Sequence, residues 1–238
     1  MKQQNNAIVC LTRGYAYLRG YDVLIKRNQS IYEHINKDLK YPLIIFHEGN
    51  IPIHHQDHII SLGFGQDIRF VDVSKDFSGG YEGMCQFQTY HIWNYCKQYD
   101  YILRVDEDCW ITGVAENPFD QIGNYLYLKS VYSAEPHSET NATLPDKILS
   151  LLPDEKKEDF YNDKYPYTNV GLAKVSFFTD SKINDLLYMI AMCPDQRTYR
   201  WGDLPIIGSI LNIFAKGEVG TLTGLSYFHQ SHGNTVVC

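Results

Sequence analysis

Residues 101–108 read YILRVDED, so a short hydrophobic run leads directly into three carboxylates. Successive side chains of an extended chain point to opposite sides. Asp106 and Asp108 are therefore expected to face the same way, while Glu107 faces the other way and is expected to be structural. The carboxyl ends of strands in an open α/β sheet are where ligands bind, and paired carboxylates there suit Mn²⁺ or Mg²⁺. The stretch predicts a cation site able to hold a diphosphate. An aspartate that caps a turn is the structural alternative.

Strand-like runs alternate with amphipathic stretches around this motif. Strands are predicted over residues 7–11, 41–46, 68–73 and 101–105, and helices over 21–36 and 82–98. This alternation favours an α/β fold with a mostly parallel central sheet flanked by helices. Further strands are predicted over 124–131 and 170–178, and further helices over 180–191 and 203–214. No linker or repeat interrupts the pattern, so we expect a single domain over residues 1–238.

Composition restricts the classes of partner and of compartment. The 238 residues are 44% hydrophobic and 21% charged, which is typical of a globular domain. A net charge of −7 without a basic stripe argues against nucleic acid as a partner. The apolar run 7–11 is too short for a signal peptide or membrane span, so we expect a soluble or cytoplasmic protein without a transmembrane segment.

The cysteines lack the spacing of a disulfide framework or a metal-binding motif. There are six, and none forms a CxxC pair, which is typical of a reducing compartment. Cys85, Ile92 and Cys96 recur at helical spacing, so we expect them to share one buried face.

Four segments carry a resemblance to a known family. Residues 81–87 (YEGMCQF) resemble the motif Tyr-x-x-Met-Cys-Arg-Phe, and residues 99–106 (YDYILRVD) resemble Tyr-Asp-Tyr-x-Trp-Arg-Val-Glu. Residues 199–205 (YRWGDLP) resemble Glu-Arg-Trp-Gly-Asp-Ala-Pro, and residues 226–229 (SYFH) resemble Gly-Tyr-x-His. With this order and spacing, the chain resembles the fungal α-1,2-mannosyltransferases of glycosyltransferase family 15 from about residue 7 to residue 232. The resemblance implies a GT-A fold, which is a nucleotide-sugar-binding α/β domain with a divalent cation.

The resemblance also implies an activity, which is the retaining transfer of a hexose from a nucleotide sugar to a glycan acceptor. Mannose is the first choice of hexose, and Mn²⁺ or Mg²⁺ is the implied cofactor. GDP-mannose is the first choice of donor and a UDP-sugar the second. The predicted metal ligands are Asp106, Asp108 and His229, with His232 as the alternative to His229. The other candidates are Asp203 and Tyr81 for catalysis, and, for nucleotide-sugar binding, Thr12, Arg13, Arg104, Asp106 and Trp201.

Departures from the family pattern bear on the mechanism. The family's metal-binding Glu aligns with Asp106, its Arg after Met-Cys with Gln86, and its proposed catalytic carboxylate with Gly171. A glycine offers no nucleophile. We therefore favour a same-face displacement in which the leaving diphosphate accepts the acceptor's proton. Two alternatives stay open: an inverting UDP-sugar transferase with Asp203 as base, and a non-catalytic carbohydrate-binding protein.

Each candidate residue also has an ordinary structural role. Asp203 suits a helix N-cap, and Tyr81 and Trp201 suit core packing. Arg13 and His229 suit exposed surface positions. The metal-like spacing of His54, His55 and His58 is interpreted as a solvated polar loop.

Overall fold

The computed structural model describes residues 4–121, 127–128, 132–133, 138–160, 165–215 and 219–237. Within these ranges the strands are β1 (Asn6–Thr12), β2 (Leu43–His47), β3 (Ile68–Asp72), β4 (Tyr101–Val105), β5 (Cys109–Val114), β6 (Tyr127–Leu128), β7 (Tyr132–Ser133), β8 (Tyr165–Pro166), β9 (Val170–Lys174), β10 (Val219–Gly220), β11 (Leu225–His229) and β12 (Asn234–Val237).

The helices in the same ranges are α1 (Asp22–Ile31), α2 (Lys37–Leu39), α3 (Ile53–Ser61), α4 (Gly80–Gln86), α5 (Ile92–Tyr95), α6 (Ser138–Leu151), α7 (Asp154–Lys157), α8 (Val175–Phe178), α9 (Ser181–Ala191), α10 (Pro194–Thr198) and α11 (Asp203–Phe214). Wider π-helical turns, Tyr32–Asn36 and Phe87–His91, join α1 to α2 and α4 to α5. Among the described residues, no helix is long and apolar enough to cross a membrane.

The main sheet has the strand order β10-β6-β9-β4-β1-β2-β3 in the described part of the chain. Neighbouring strands in β4-β1-β2-β3 run parallel, and β9 is antiparallel to both β4 and β6. A smaller antiparallel sheet has the order β12-β11-β5. The prediction of an α/β fold with a mostly parallel sheet flanked by helices is confirmed.

The central strands are buried on both faces. Along β1, Ala7 and Val9 pack into one hydrophobic cluster, whereas Ile8 and Cys10 pack into the other. Helices cover each cluster, which explains why these strands are continuously apolar rather than alternating. The predicted burial of Cys85, Ile92 and Cys96 is confirmed.

A fully buried arginine bridges the two central strands. The Arg27 guanidinium donates from Nε to the Val105 carbonyl at 2.9 Å and from Nη2 to the Val9 carbonyl at 3.1 Å. Backbone carbonyls of β1 and β4 therefore compensate the cost of burying this cation. The contact fixes β1 against β4 at the edge where the acidic motif begins.

Two sequence predictions are wrong. The strand predicted over 170–178 ends at Lys174, and the next four residues form α8. Phe178 there stacks on Trp93 with ring centroids 3.9 Å apart, so tertiary packing overrides the strand-like composition. The histidine segment is not a loop: His54, His55 and His58 lie in α3, because that helix buries His55 and Ile59 against the body of the protein.

Other boundaries shift, and part of one prediction cannot be placed. The helix predicted over 82–98 begins at Gly80 and ends at Tyr95, with the π-helical turn in its middle. The strand predicted over 124–131 corresponds to β6, while residues 122–126 and 129–131 lie outside the described residues.

Candidate functional site

A cleft of about 570 Å³ opens at the carboxyl edge of β1 and β4. These strands are parallel neighbours, so the residues that follow Thr12 and Val105 emerge side by side. The antiparallel β9 begins at the same edge, where the backbone N–H of Asp106 donates to the Asn169 carbonyl at 2.8 Å. The lining residues combine carboxylates, arginines and apolar side chains: Leu11, Arg13, Tyr15, Val23, Met84, Gln88, Arg104, Asp106, Glu107, Asp108, Gln230 and Ser231.

Arg104 connects two of the predicted site carboxylates. Its Nε and Nη2 donate to the two carboxylate oxygens of Asp106 at 2.7 and 3.0 Å, and its Nη1 donates to Asp203 Oδ2 at 2.7 Å. The arginine side chain is only 11% exposed. Asp106 is therefore held by a bidentate charge-assisted contact, the strong form of this interaction.

Asp108 belongs to a second cluster, which could hold a metal ion. Ligand atoms of Asp108, Cys109 and His229 lie within 4.8 Å of one another, and Asp108 Oδ2 is 3.3 Å from His229 Nε2. The antiparallel pairing of β5 with β11 places Cys109 opposite His229. The Asn169 amide lies 3.0 Å from the other ring nitrogen, Nδ1, so it holds the imidazole with Nε2 towards Asp108.

The three neighbouring carboxylates have different electrostatic environments. Burial raises the pKa of Asp106, although Arg104 opposes that shift. Burial also raises the pKa of Glu107, which accepts a hydrogen bond from the Tyr15 hydroxyl at 2.8 Å. Burial acts to raise the pKa of Asp108 too, but hydrogen bonds from His229 and Ser231 outweigh it and lower the pKa to about 2. Asp108 is thus the most acidic of the three and stays ionised at neutral pH.

The two candidates at the end of β1 differ in their position relative to the cleft. Thr12 is buried at the strand end, whereas Arg13 is exposed, lines the cleft and lies over the Tyr15 ring, 5.2 Å from its centroid. Glu107 was expected to point away from its neighbours and be structural. It lines the same cleft as Asp106 and Asp108, because the chain turns after Val105 and no longer alternates as a strand.

Three further candidates, Trp201, Tyr81 and Asp203, are not among the residues that line the cleft. Trp201 is 1% exposed and donates from Nε1 to the Thr143 hydroxyl at 2.8 Å, which favours its core-packing role. Tyr81 is 38% exposed beneath the Arg200 guanidinium, 4.4 Å from the ring centroid. Asp203 is not the N-cap of α11: Gly202 occupies that position, and Asp203 is the first helical residue, free to reach Arg104.

His232, the alternative to His229 as a metal ligand, lies beside it. The His232 ring stacks on the His229 ring with centroids 4.3 Å apart, but His232 is exposed and contacts the Tyr167 hydroxyl. It is not a member of the cluster that Asp108 forms with Cys109.

Sequence reasoning missed several residues that the site uses. Cys109 was not a candidate, although its position directly after Asp108 was a usable signal. Asn169 lies in the segment 168–172 that resembles the family's Ser-Asn-Phe-Glu-Ile, but its contact with His229 joins segments 60 residues apart and could not be predicted. Ser231 gave no signal, because its contact with Asp108 spans 123 residues. Gln88 lines the cleft from the π-helical turn.

The sheet order and the cleft at its carboxyl edge define a GT-A fold. The chain is similar to core-mannan synthase A (CmsA/Ktr4) from Aspergillus fumigatus in its Mn/GDP form, with a TM-score of 0.73 and 16% identity over 96% of this chain and 75% of that one. It is similar to the mannosyltransferase Ktr4p from S. cerevisiae in complex with GDP, with a TM-score of 0.75 and 14% identity over 95% of this chain and 71% of that one. The other Ktr4p structure gives a TM-score of 0.76 and 15% identity over 95% and 70% of the two chains.

These likenesses confirm the predicted fold, and at such low identity they establish the fold alone. No family model and no curated protein sequence matches the chain.

Proposed function

We propose that this chain, as a single GT-A domain over residues 1–238, is a metal-dependent glycosyltransferase. It transfers a sugar, with mannose as the first choice, from a nucleotide sugar to a carbohydrate hydroxyl and retains the anomeric configuration. The observation that carries the proposal is the Asp108, Cys109 and His229 cluster beside an acidic, arginine-containing cleft in a GT-A fold. The similar structures with GDP and Mn support GDP-mannose as donor and Mn²⁺ as cation over a UDP-sugar and Mg²⁺.

The residues present fit a divalent cation. The 3.3 Å separation of Asp108 Oδ2 and His229 Nε2 matches what two neighbouring ligands need when each bond is about 2.0–2.2 Å. Asp108 is ionised at neutral pH, and the Asn169 contact directs His229 Nε2 at Asp108. Asp106 stays a proposed ligand, although Arg104 occupies both of its oxygens in this structure. When bound, such a cation neutralises charge that develops on a diphosphate leaving group.

The arginines divide between binding and structure. Arg13 is exposed at the cleft wall, where its guanidinium is available to a phosphate or a base. Arg104 also lines the cleft, but its donors are directed at Asp106 and Asp203. We therefore assign donor contact mainly to Arg13 and the positioning of the carboxylates mainly to Arg104.

The stereochemical proposal depends on Gly171. Strand pairing places Gly171 directly opposite Arg104, so the position that resembles the family's proposed nucleophile carries no side chain. Retention then requires the acceptor to attack from the face that the diphosphate leaves, with the diphosphate oxygen taking the proton. No glycosyl-enzyme intermediate is expected at this position.

The inverting alternative has less support. A general base must reach the acceptor hydroxyl and accept its proton. Asp203 is 7% exposed and paired with Arg104 at 2.7 Å, so it is poorly available to an acceptor. If Asp203 were nevertheless the base, Asp203→Asn would lower turnover by roughly 10²–10⁴-fold.

Calorimetry and product analysis test the proposal. With Mn²⁺ present we expect GDP-mannose and GDP to bind, UDP-sugars to bind more weakly, and Asp108→Asn to abolish the metal dependence. NMR of the first-formed product should show the donor's anomeric configuration, and an inverted product would refute the same-face scheme. Nucleotide binding without either transfer or slow donor hydrolysis would instead indicate the non-catalytic carbohydrate-binding protein.

A further inference from the structure

We propose that the Gln88 side-chain amide recognises the donor sugar by hydrogen bonding one of its ring hydroxyls. The inference rests on the proposed function, because it names the group that would read the sugar in the same cleft. None of the four family-like segments includes Gln88.

Gln88 is a buried polar residue with unused hydrogen-bonding capacity. The residue is 3% exposed, and its Oε1 has no hydrogen-bond partner among the described residues. A buried amide oxygen without a partner destabilises the folded protein unless a ligand or solvent satisfies it. The side chain therefore has a reason to accept a hydrogen bond when the cleft is filled.

The place of Gln88 suits a ligand better than a fixed water. The side chain lies between the main cleft and a small cavity of about 10 Å³, which it lines together with Arg104 and Gly171. That volume is at the lower limit for one water molecule. The terminal torsion of a glutamine is soft, so the amide can turn to meet a ligand.

The backbone explains why this residue reaches the site. Gln88 lies in the π-helical turn Phe87–His91, where the helix widens, and the Gln86 side chain two residues earlier bonds Ser78 and the Ala191 carbonyl instead. Only Gln88 of the two lines the cleft.

The ligand class follows from the chemistry of the surrounding wall. The cation cluster and Arg13 offer charges to a diphosphate, whereas Gln88 and Met84 offer a neutral amide and an apolar contact. A sugar ring carries hydroxyls and apolar C–H faces and is joined directly to the diphosphate. A hydroxyl can both donate and accept, so either end of the amide can bind it.

Calorimetry with Mn²⁺ on the full chain separates sugar binding from nucleotide binding. We expect Gln88→Leu to weaken GDP-mannose binding by about 3- to 10-fold, the loss of one neutral hydrogen bond, and to leave GDP affinity unchanged. Gln196→Leu is the matched control, because Gln196 is also buried with an unpartnered Oε1 but does not line the cleft. It should leave the ratio of GDP-mannose to GDP affinity as in the wild type.

Deoxy-mannose analogues of GDP-mannose identify the hydroxyl. One of them should bind the wild type more weakly yet bind Gln88→Leu as well as GDP-mannose does, because two changes to one contact are not additive. Equal losses for GDP and GDP-mannose, or additive losses for every analogue, would overturn the inference while leaving the transferase proposal standing. If the wild type binds GDP but no attached sugar raises that affinity, the inference is overturned as well. A wild type that binds no nucleotide or nucleotide sugar, GDP-, UDP- or dTDP-linked, would overturn both.

Discussion

Replacing Arg104 by methionine should destabilise the protein far more than replacing an exposed arginine. Arg104→Met keeps most of the apolar stem but removes the cation that Asp106 and Asp203 share. The side chains of Arg104 and Asp203 are 11% and 10% exposed, so solvent cannot readily replace the lost contacts. Two carboxylates would then share a largely buried space without a counter-charge.

The size of the effect follows from the burial of the pair. Removing one partner of a buried ion pair costs about 3–5 kcal/mol. In a protein of this length, 1 kcal/mol shifts the melting temperature by roughly 2–4 °C, so the expected loss is roughly 6–20 °C. The double variant Arg104→Met, Asp203→Asn should lose less than the sum of its single variants, since one of the two carboxylates left without a counter-charge is removed as well.

Arg69 provides the matched control for thermal unfolding by circular dichroism. It also pairs with an aspartate, Asp67, but these side chains are 55% and 49% exposed. An exposed pair contributes only about 0.2–1 kcal/mol, so Arg69→Met should shift the melting temperature by less than roughly 4 °C. If the melting temperature of Arg104→Met also shifts by less than roughly 4 °C, the contacts of Arg104 with Asp106 and Asp203 do not stabilise the fold as argued above.

Three further predictions concern the metal, the thiols and pH. At Mn²⁺ concentrations 100-fold above Kd, the wild type should gain about 2.7 kcal/mol of stability, and Asp108→Asn should lose that gain in a thermal-shift assay. With iodoacetamide at pH 8, peptide mapping should find Cys193 modified before Cys85, because burial raises the pKa of Cys85 to about 12; the reverse order would contradict its burial. Burial lowers the pKa of His47, and its Nδ1 accepts from the Gly49 N–H, so the folded state favours the neutral ring. The unfolded chain binds the proton first, so stability should fall between pH 7 and pH 5 in denaturant titrations. His47→Gln should flatten that dependence, and a slope that matches the wild type would exclude His47 as its source.

Local patterns in the sequence determined much of the fold. Continuous apolar runs predicted β1 and β4, and period-3.6 hydrophobicity predicted α1, α9 and α11, because burial against a sheet imposes these patterns on any chain. The apolar strand ending in Asp106 and Asp108 predicted a polar edge, and parallel pairing placed that edge beside Arg13.

The direction of β9 and the packing that forms α8 could be determined only from the tertiary structure. Strand composition does not encode whether β9 runs parallel or antiparallel to β4, and α8 forms in a strand-like segment because Phe178 stacks on Trp93. Both depend on contacts with residues distant in the chain, which no local repeat records.

For the candidate site too, the sequence identified the residues and the tertiary structure determined their contacts. Asp108, His229 and Asp203 were candidates from the sequence, but their partners were not evident. Arg104 meets Asp203 across 99 residues, and β5 meets β11 so that His229 faces Cys109. A motif specifies which side chains are chemically able to act. Long-range packing alone decides which of them meet, because the folded backbone, not their spacing in sequence, sets the distances between them.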